Sequence, residues 1–321
     1  MRPDDLLASF PAGATPRPSQ ARLLRQLADA LAEAADDPGA PRIFAVEAPP
    51  GVGKSHIAMT LARWSGEAYL LTSQKLLQDQ YEHEFGSELQ LVKGRDNYRC
   101  ERYAGEHVPT SQGMCRRPRG PQCHCPYARA KAAALAGPVF CTNTAYFATL
   151  RHWYGEHLPR RRLLVVDEAH NLEAQLVAAT TVTFKLEQMK EWFGGPLPRR
   201  ESADDYRPLL APHVERLHAQ LASIERALDA LRPPAGWLDL APSRAELELL
   251  AEQHRVERGL AGLRYFVDAT AREWVARHAT EPEARLELIP LSVAELAPSL
   301  LWEAADLAVL SSAYLGRREV L

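Results

Sequence analysis

No run of 18 apolar residues occurs in the 321-residue chain, so no segment of it reads as a membrane-spanning helix. A surplus of positive charge is missing too. The 38 Lys and Arg against 41 Asp and Glu leave a net charge of −3, which excludes a protein that coats nucleic acid over its whole surface. The opening residues, MRPDDLLASF, put two aspartates where a secretory signal needs positive charge, and a cytoplasmic location is expected. Cysteine is scarce. Five in a cytosolic chain point to a metal site or to thiols, not to a disulfide framework. Internal repeats and low-complexity tracts are also absent, which excludes a solenoid.

What is present is a globular composition. Hydrophobic residues at 46% and charged ones at 25% suffice for a sizeable core, and the length predicts about two domains. The balanced charge hides a local excess. Between Lys93 and Lys131 nine basic residues face three acids, so this stretch carries +6 and the remainder −9. Four of the five cysteines, Cys100, Cys115, Cys123 and Cys125, fall in the same stretch.

Short apolar runs alternate with helical patterns elsewhere. RIFAVE (42–47), AYLLT (68–72), PVFCT (138–142), LLVVD (163–167) and LAVLSS (307–312) read as strands. Leu23, Leu24, Leu27 and Leu31 mark an amphipathic helix over 20–35, and QKLLQDQYEHEF (74–85) marks another. This alternation predicts an α/β fold with a parallel sheet covered on both faces. Two segments interrupt it. Residues 93–131 have almost no apolar periodicity and read as an insert held together by something other than a core. Residues 172–284 show no convincing strand after TTVTF (180–184) and carry two helical patterns, 213–232 and 244–279. The expected organisation is therefore a main domain of 1–92, 132–171 and 285–321, a cysteine-rich insert of 93–131 and a mostly helical insert of 172–284.

The chemistry is concentrated in two motifs. EAPPGVGKSH (47–56) follows a strand and opens a helix. There Gly51 and Gly53 let backbone N–H groups curl around phosphate oxygens, Lys54 offsets the β/γ charge, and the Ser55 hydroxyl ligates Mg²⁺. Val52 and His56 complete the candidate ATP-binding loop. The strict phosphate-loop pattern has Gly where this chain has Ala48, and the bland alternative is a Gly/Pro turn that happens to contain GKS. LLVVDEAH (163–170) ends a buried strand in Asp167, Glu168 and, two residues on, His170. Asp167 suits Mg²⁺ and Glu168 suits the attacking water, at the strand end where such sheets place ligands. Alone, an Asp-Glu pair after a strand reads equally well as a helix N-cap. Lys54, Asp167, Glu168 and His170 form the candidate catalytic set.

The cysteine spacing is Cys100-x14-Cys115-x7-Cys123-x-Cys125. Four thiolates hold either a tetrahedral zinc or an iron–sulfur cubane, and no paired C-x2-C knuckle marks the zinc form. The single residue between Cys123 and Cys125 leaves open that His124 replaces one of them. Cys141, in an apolar strand, reads as a core residue. The arginines at 116, 117 and 119 read either as solvated charge or, with Tyr98, Tyr103 and Tyr127 interleaved, as a track for unpaired nucleic acid.

Together, GVGKS and DEAH make the chain resemble a superfamily-2 helicase. KGRDNYRC (93–100), the later cysteines and VFCTNTAYF (139–147) are similar to the XPD/DinG family of iron–sulfur helicases. RPSQ (17–20) resembles that family's adenine-reading element, with Gln20 and Arg17. TSQKLLQDQ (72–80) resembles its first DNA-contacting motif, and SSAYL (311–315) its coupling motif, with Tyr314 in place of the usual Thr. The resemblance implies a RecA-like motor domain using ATP, Mg²⁺ and a 4Fe–4S cluster, with an arch-like helical insert. It also implies single-stranded or forked DNA as partner and 5′→3′ movement. The family's second RecA-like domain, with its Q-x-x-G-R-x-x-R arginines, finds no counterpart before Leu321. The chain is thus expected to be a half-motor, weak or inactive alone, with a second RecA-like domain in a separate chain as a candidate partner; the alternatives are a non-catalytic ATP- and DNA-binding module and a truncated fragment.

Overall fold

Every residue of Ala68–Thr72 is buried, as a strand covered on both faces requires. A computed structural model describes residues 3–37, 39, 42–101, 108–113, 125–153, 158–231, 243–281 and 283–314. Among these the strands are β1 (Ile43–Glu47), β2 (Ala68–Thr72), β3 (Gln90–Leu91), β4 (Val139–Asn143), β5 (Arg161–Asp167), β6 (Val182–Lys185), β7 (Trp274–Ala279), β8 (Arg285–Pro290) and β9 (Ala305–Ser312). Six of them form one parallel sheet in the order β1-β9-β5-β2-β4-β3. The fold is α/β, and the five strands read from the apolar runs are all in this sheet. The two-residue β3 is too short to show a pattern.

Alternation along the strands supplies two apolar faces. Leu70, Cys141 and Val165 join the core beneath helices Pro18–Asp36, Lys54–Ser65 and Lys75–Phe85, which contribute Leu24, Leu31, Ile57, Leu61 and Tyr81. Tyr69 and Phe140 face the other way with ring centroids 5.6 Å apart, and Tyr69 meets the fully buried Phe147 of helix Thr144–His152 at 5.0 Å. Cys141 is fully buried, and burial pushes its thiol well up, so it is inert core. The buried guanidinium of Arg161 donates to the carbonyls of Ala68, Ala134, Leu135, Gly137 and Pro138. It ties the amino ends of β5 and β2 to the end of helix Pro126–Ala136.

The chain divides into two compact units, Met1–Lys93 with Arg129–Ala179 and Val293–Leu321, and Gly94–Ala128 with Thr180–Ser292. The first contains the parallel sheet. In the second, β6, β8 and β7 form an antiparallel sheet, and helices Pro212–Ala230 and Arg244–Asp268 pack together. Its cysteine-bearing segment shares the unit with the helical one, since the turn Thr110–Gln112 lies against the long helix near Leu250 and Gln253.

Here the helical reading of 244–279 is corrected. The helix stops at Asp268, and Trp274–Ala279 is a strand paired along its length with β8. Ala and Arg favour a helix locally, but pairing and the burial of Trp274 against Tyr265 and Phe266 override that preference. Because β8 pairs with β6 and β7, residues 285–290 also belong to the second unit rather than to the main sheet.

Candidate functional site

Sheet register brings the two motifs together. β9 lies between β1 and β5, with Ser312 opposite Glu47 and Ser311 opposite Asp167. Beyond β1 the chain runs into the loop 48–53, whose first N–H, that of Ala48, donates to the Ser312 carbonyl at 2.9 Å. Among the described residues, Glu168 is the only non-glycine with positive φ, so Ala48 sits in ordinary backbone and has no need of glycine. Gly51 and Gly53, at φ +81° and +85°, do need it. A Cβ on Gly53 would also lie 2.5 Å from Gln20 Nε2.

The loop is held from outside. Arg17 Nη1 donates to the Gly51 carbonyl at 2.7 Å, and Gln20 Nε2 donates to the Gly53 carbonyl at 3.3 Å. Gln20 Oε1 in turn accepts the Arg17 N–H at 2.8 Å, so both ends of this buried amide brace the loop. A cavity of about 470 Å³ opens over it, lined by Arg17, Gln20, Gly51, Gly53, Lys54 and Ser55 on one side and by Asp167 and Glu168 on another. Val52 instead packs toward the core. His56 reaches the cavity, but its ring is set between Phe10 and Phe85, with centroids 5.8 and 5.2 Å away.

Lys54 Nζ and Glu168 Oε1 are 3.4 Å apart. Glu168 Oε2 is 3.3 Å from His170 Nδ1, which is also 2.8 Å from Ser312 Oγ. A polar chain therefore runs from Lys54 through Glu168, just beyond β5, and His170 to the end of β9. Glu168 has left-handed backbone at φ 54°, the kind of local strain that collects at functional positions. Asp167, 5% exposed, accepts the Glu168 N–H on Oδ1 at 3.0 Å and the Tyr81 hydroxyl on Oδ2 at 2.9 Å. Burial pushes the Asp167 carboxyl up, while the Tyr81 hydrogen bond pulls it back. Burial, reinforced by Asp167, drives the Tyr81 phenol well up, so the proton stays on the phenol. Tyr81 carries no motif and was missed in the sequence. The signal for it is the helical face Leu77, Gln80, Tyr81 and Glu84, spaced i, i+3, i+4, i+7, which lines the cavity together.

These residues fit a nucleotide and its metal: glycine backbone open to phosphate, one lysine, one hydroxyl at Ser55, and a buried carboxylate, Asp167, that makes no direct ion pair among the described residues. Tyr314, beyond β9, is exposed, and Leu315 lies outside the described residues.

The cysteine segment is only partly described, since Cys115 and Cys123 lie outside the described residues, as do Tyr103 and His124. Cys100 and Cys125 are both buried. Cys100 N–H donates to the Val108 carbonyl at 2.8 Å, in a short antiparallel pairing that sets Arg99 opposite Pro109. Two residues before Cys100, the Tyr98 ring packs edge-on against Tyr127, and Arg95 lies 4.3 Å over that same ring. Tyr127 is thus an internal packing residue and not a platform for a base. Among the described residues no group of three metal-ligating side chains occurs.

No family model matches the chain, and no curated protein matches it. Solved structures do. One described as XPD helicase is 15% identical with a TM-score of 0.48, the match covering 92% of this chain and 58% of that one. Another, described as XPD apo, is also 15% identical, with a TM-score of 0.45 over 92% and 54%. This chain therefore spans a little over half the length of the structures it matches, and the likeness concerns the fold alone.

Proposed function

We propose that the first unit is an ATP-dependent helicase motor domain of RecA-like type, with its nucleotide at the carboxyl ends of β1, β9 and β5. The observation that carries this reading is the convergence of Gly51, Gly53, Lys54, Asp167 and Glu168 on one cavity. The N–H groups of 51–55 would hold the phosphates, with Lys54 turning from Glu168 to the β/γ oxygens. Ser55 and Asp167 would hold Mg²⁺, which supplies charge neutralisation when bound. Glu168, released by Lys54, would orient a water and accept its proton, and His170 would relay the state of Glu168 to Ser312 at the end of β9.

Arg17, Lys54 and His56 are the basic residues lining the cavity, and Arg17 is engaged with Gly51. An arginine that offsets charge on the transferred phosphoryl is worth on the order of 10³–10⁵ in rate. We assign that arginine to a second RecA-like domain. The cysteine segment of the second unit, by its four thiols and its lack of apolar periodicity, is read as holding a 4Fe–4S cluster. The basic charge around it is read as a track for single-stranded or forked DNA, with movement 5′→3′.

The test is DNA-stimulated ATP hydrolysis. This chain alone should turn over weakly, addition of a matching second domain should raise the rate, and Glu168→Gln should then lower it by about 10²–10⁴-fold. Absence of turnover even with the second domain would leave a nucleotide- and DNA-binding module without motor activity, and turnover unaffected by Glu168→Gln would exclude Glu168 as the group that activates water.

A further inference from the structure

We propose that Tyr81 is a positioning residue for the divalent metal, its hydroxyl fixing the Asp167 carboxylate in the orientation that ligates Mg²⁺. The proposal rests on reading the cavity as an ATP–Mg²⁺ site. It starts from the state of Asp167. Each of its oxygens takes one hydrogen bond, Oδ1 from the Glu168 N–H and Oδ2 from Tyr81, at 3.0 and 2.9 Å. Two donors on different oxygens lock rotation about the Cβ–Cγ bond and leave lone pairs on both. Asp167 makes no ion pair among the described residues, although it is 5% exposed. Its direct hydrogen bonds come from two neutral donors, with Lys54 acting on it only through space, and a divalent cation in the adjoining cavity would add a charge in direct contact.

The identity of the second donor matters. A lysine or arginine at position 81 would neutralise Asp167 and compete with the metal, whereas phenylalanine would fill the same space and leave Oδ2 unheld. Tyrosine pins the carboxylate without neutralising it. The phenol is itself held, because Tyr81 is 1% exposed, its ring packs on Phe85 at 5.8 Å, and it sits on the helix face that also lines the cavity through Leu77, Gln80 and Glu84. Supporting hydrogen bonds of this kind change metal affinity by roughly 10–100-fold when removed.

The experiment titrates Mn²⁺ by electron paramagnetic resonance into the full chain saturated with a non-hydrolysable ATP analogue. Tyr81→Phe, which keeps the ring contact with Phe85, should weaken Mn²⁺ binding about tenfold. It should leave affinity for the analogue in EDTA unchanged. In an Asp167→Asn background, Tyr81→Phe should have no further effect on Mn²⁺, because the group it positions is gone. Mn²⁺ affinity of Tyr81→Phe within twofold of the parent would overturn the proposal. So would an equal loss in the Asp167→Asn background, which would make Tyr81 a packing residue only. A parent chain without affinity for the analogue would overturn the site reading itself, and is recognised before any variant is made.

Discussion

The two compact units hold their candidate functional groups by different means. In the first, Asp167 and Ser312 are the last residues of neighbouring strands and Lys54 follows a six-residue loop after a third, so backbone register sets their spacing. In the second, Cys100 and Cys125 lie beside one short antiparallel pairing and the packing of Tyr98 and Arg95 on Tyr127. A site built on strand ends is preorganised by the core and fails when the backbone is forced out of its conformation. A site built on irregular segments depends on the bonds made by the ligands themselves.

That contrast breaks most visibly at the cysteines. Protein purified without oxygen should carry about four irons per chain, as the cubane requires. Cys100→Ser should lose the iron and the colour, and should open residues 93–131 to proteolysis, while Cys141→Ser, in the sheet core, should keep both. Stoichiometric zinc without iron would keep the liganded segment but replace the cluster.

Gly53→Ala and Gly51→Ala sharpen the other side. Both force alanine to positive φ, at about 1–2 kcal/mol each. Gly53→Ala also drives a Cβ against Gln20 Nε2, whereas nothing lies within 4 Å of a Cβ on Gly51. Thermal unfolding should rank the parent above Gly51→Ala and Gly51→Ala above Gly53→Ala. Equal losses would mean that Gln20 does not brace the loop.

The smallest effect belongs to the second unit's own sheet. Burial pushes the Glu287 carboxyl up, but hydrogen bonds from Arg285 at 2.7 Å and Arg277 at 2.6 Å outweigh it and hold the group below its ordinary value. A depressed carboxyl contributes stability above its unfolded pKa and loses it as pH falls through the folded one. Stability at neutral pH should therefore decline on acidification below the ordinary glutamate range, and Glu287→Gln should flatten that decline by less than about 1 kcal/mol. Parallel acid profiles for both proteins would exclude the pair as a contributor.

Much of the first unit was legible in the sequence, because buried parallel strands leave near-continuous apolar runs and phosphate loops leave glycines. Lys54, Glu168 and Asp167 could be named from local pattern, and the structure places them around one cavity. Tyr81 could not, because its role depends on a partner 86 residues away that only the folded sheet supplies. Gln20 could be named from its motif, and in the structure it lines the cavity while its amide also bonds the Arg17 N–H and the Gly53 carbonyl. The hairpin of β7 and β8 escaped because WVARHA is rich in helix formers and its strand character comes from pairing. For the cysteines, spacing left the metal open, and two of the four lie outside the described residues.

Calorimetric titration of ATP–Mg²⁺ into the intact chain and into Lys54→Ala tests the central claim most directly. The loop should bind nucleotide, and Lys54→Ala, which removes the phosphate countercharge without entering the core, should weaken it by about 10–100-fold. Equal affinity in the two proteins, or none in the parent, would contradict a nucleotide site at the ends of β1, β9 and β5.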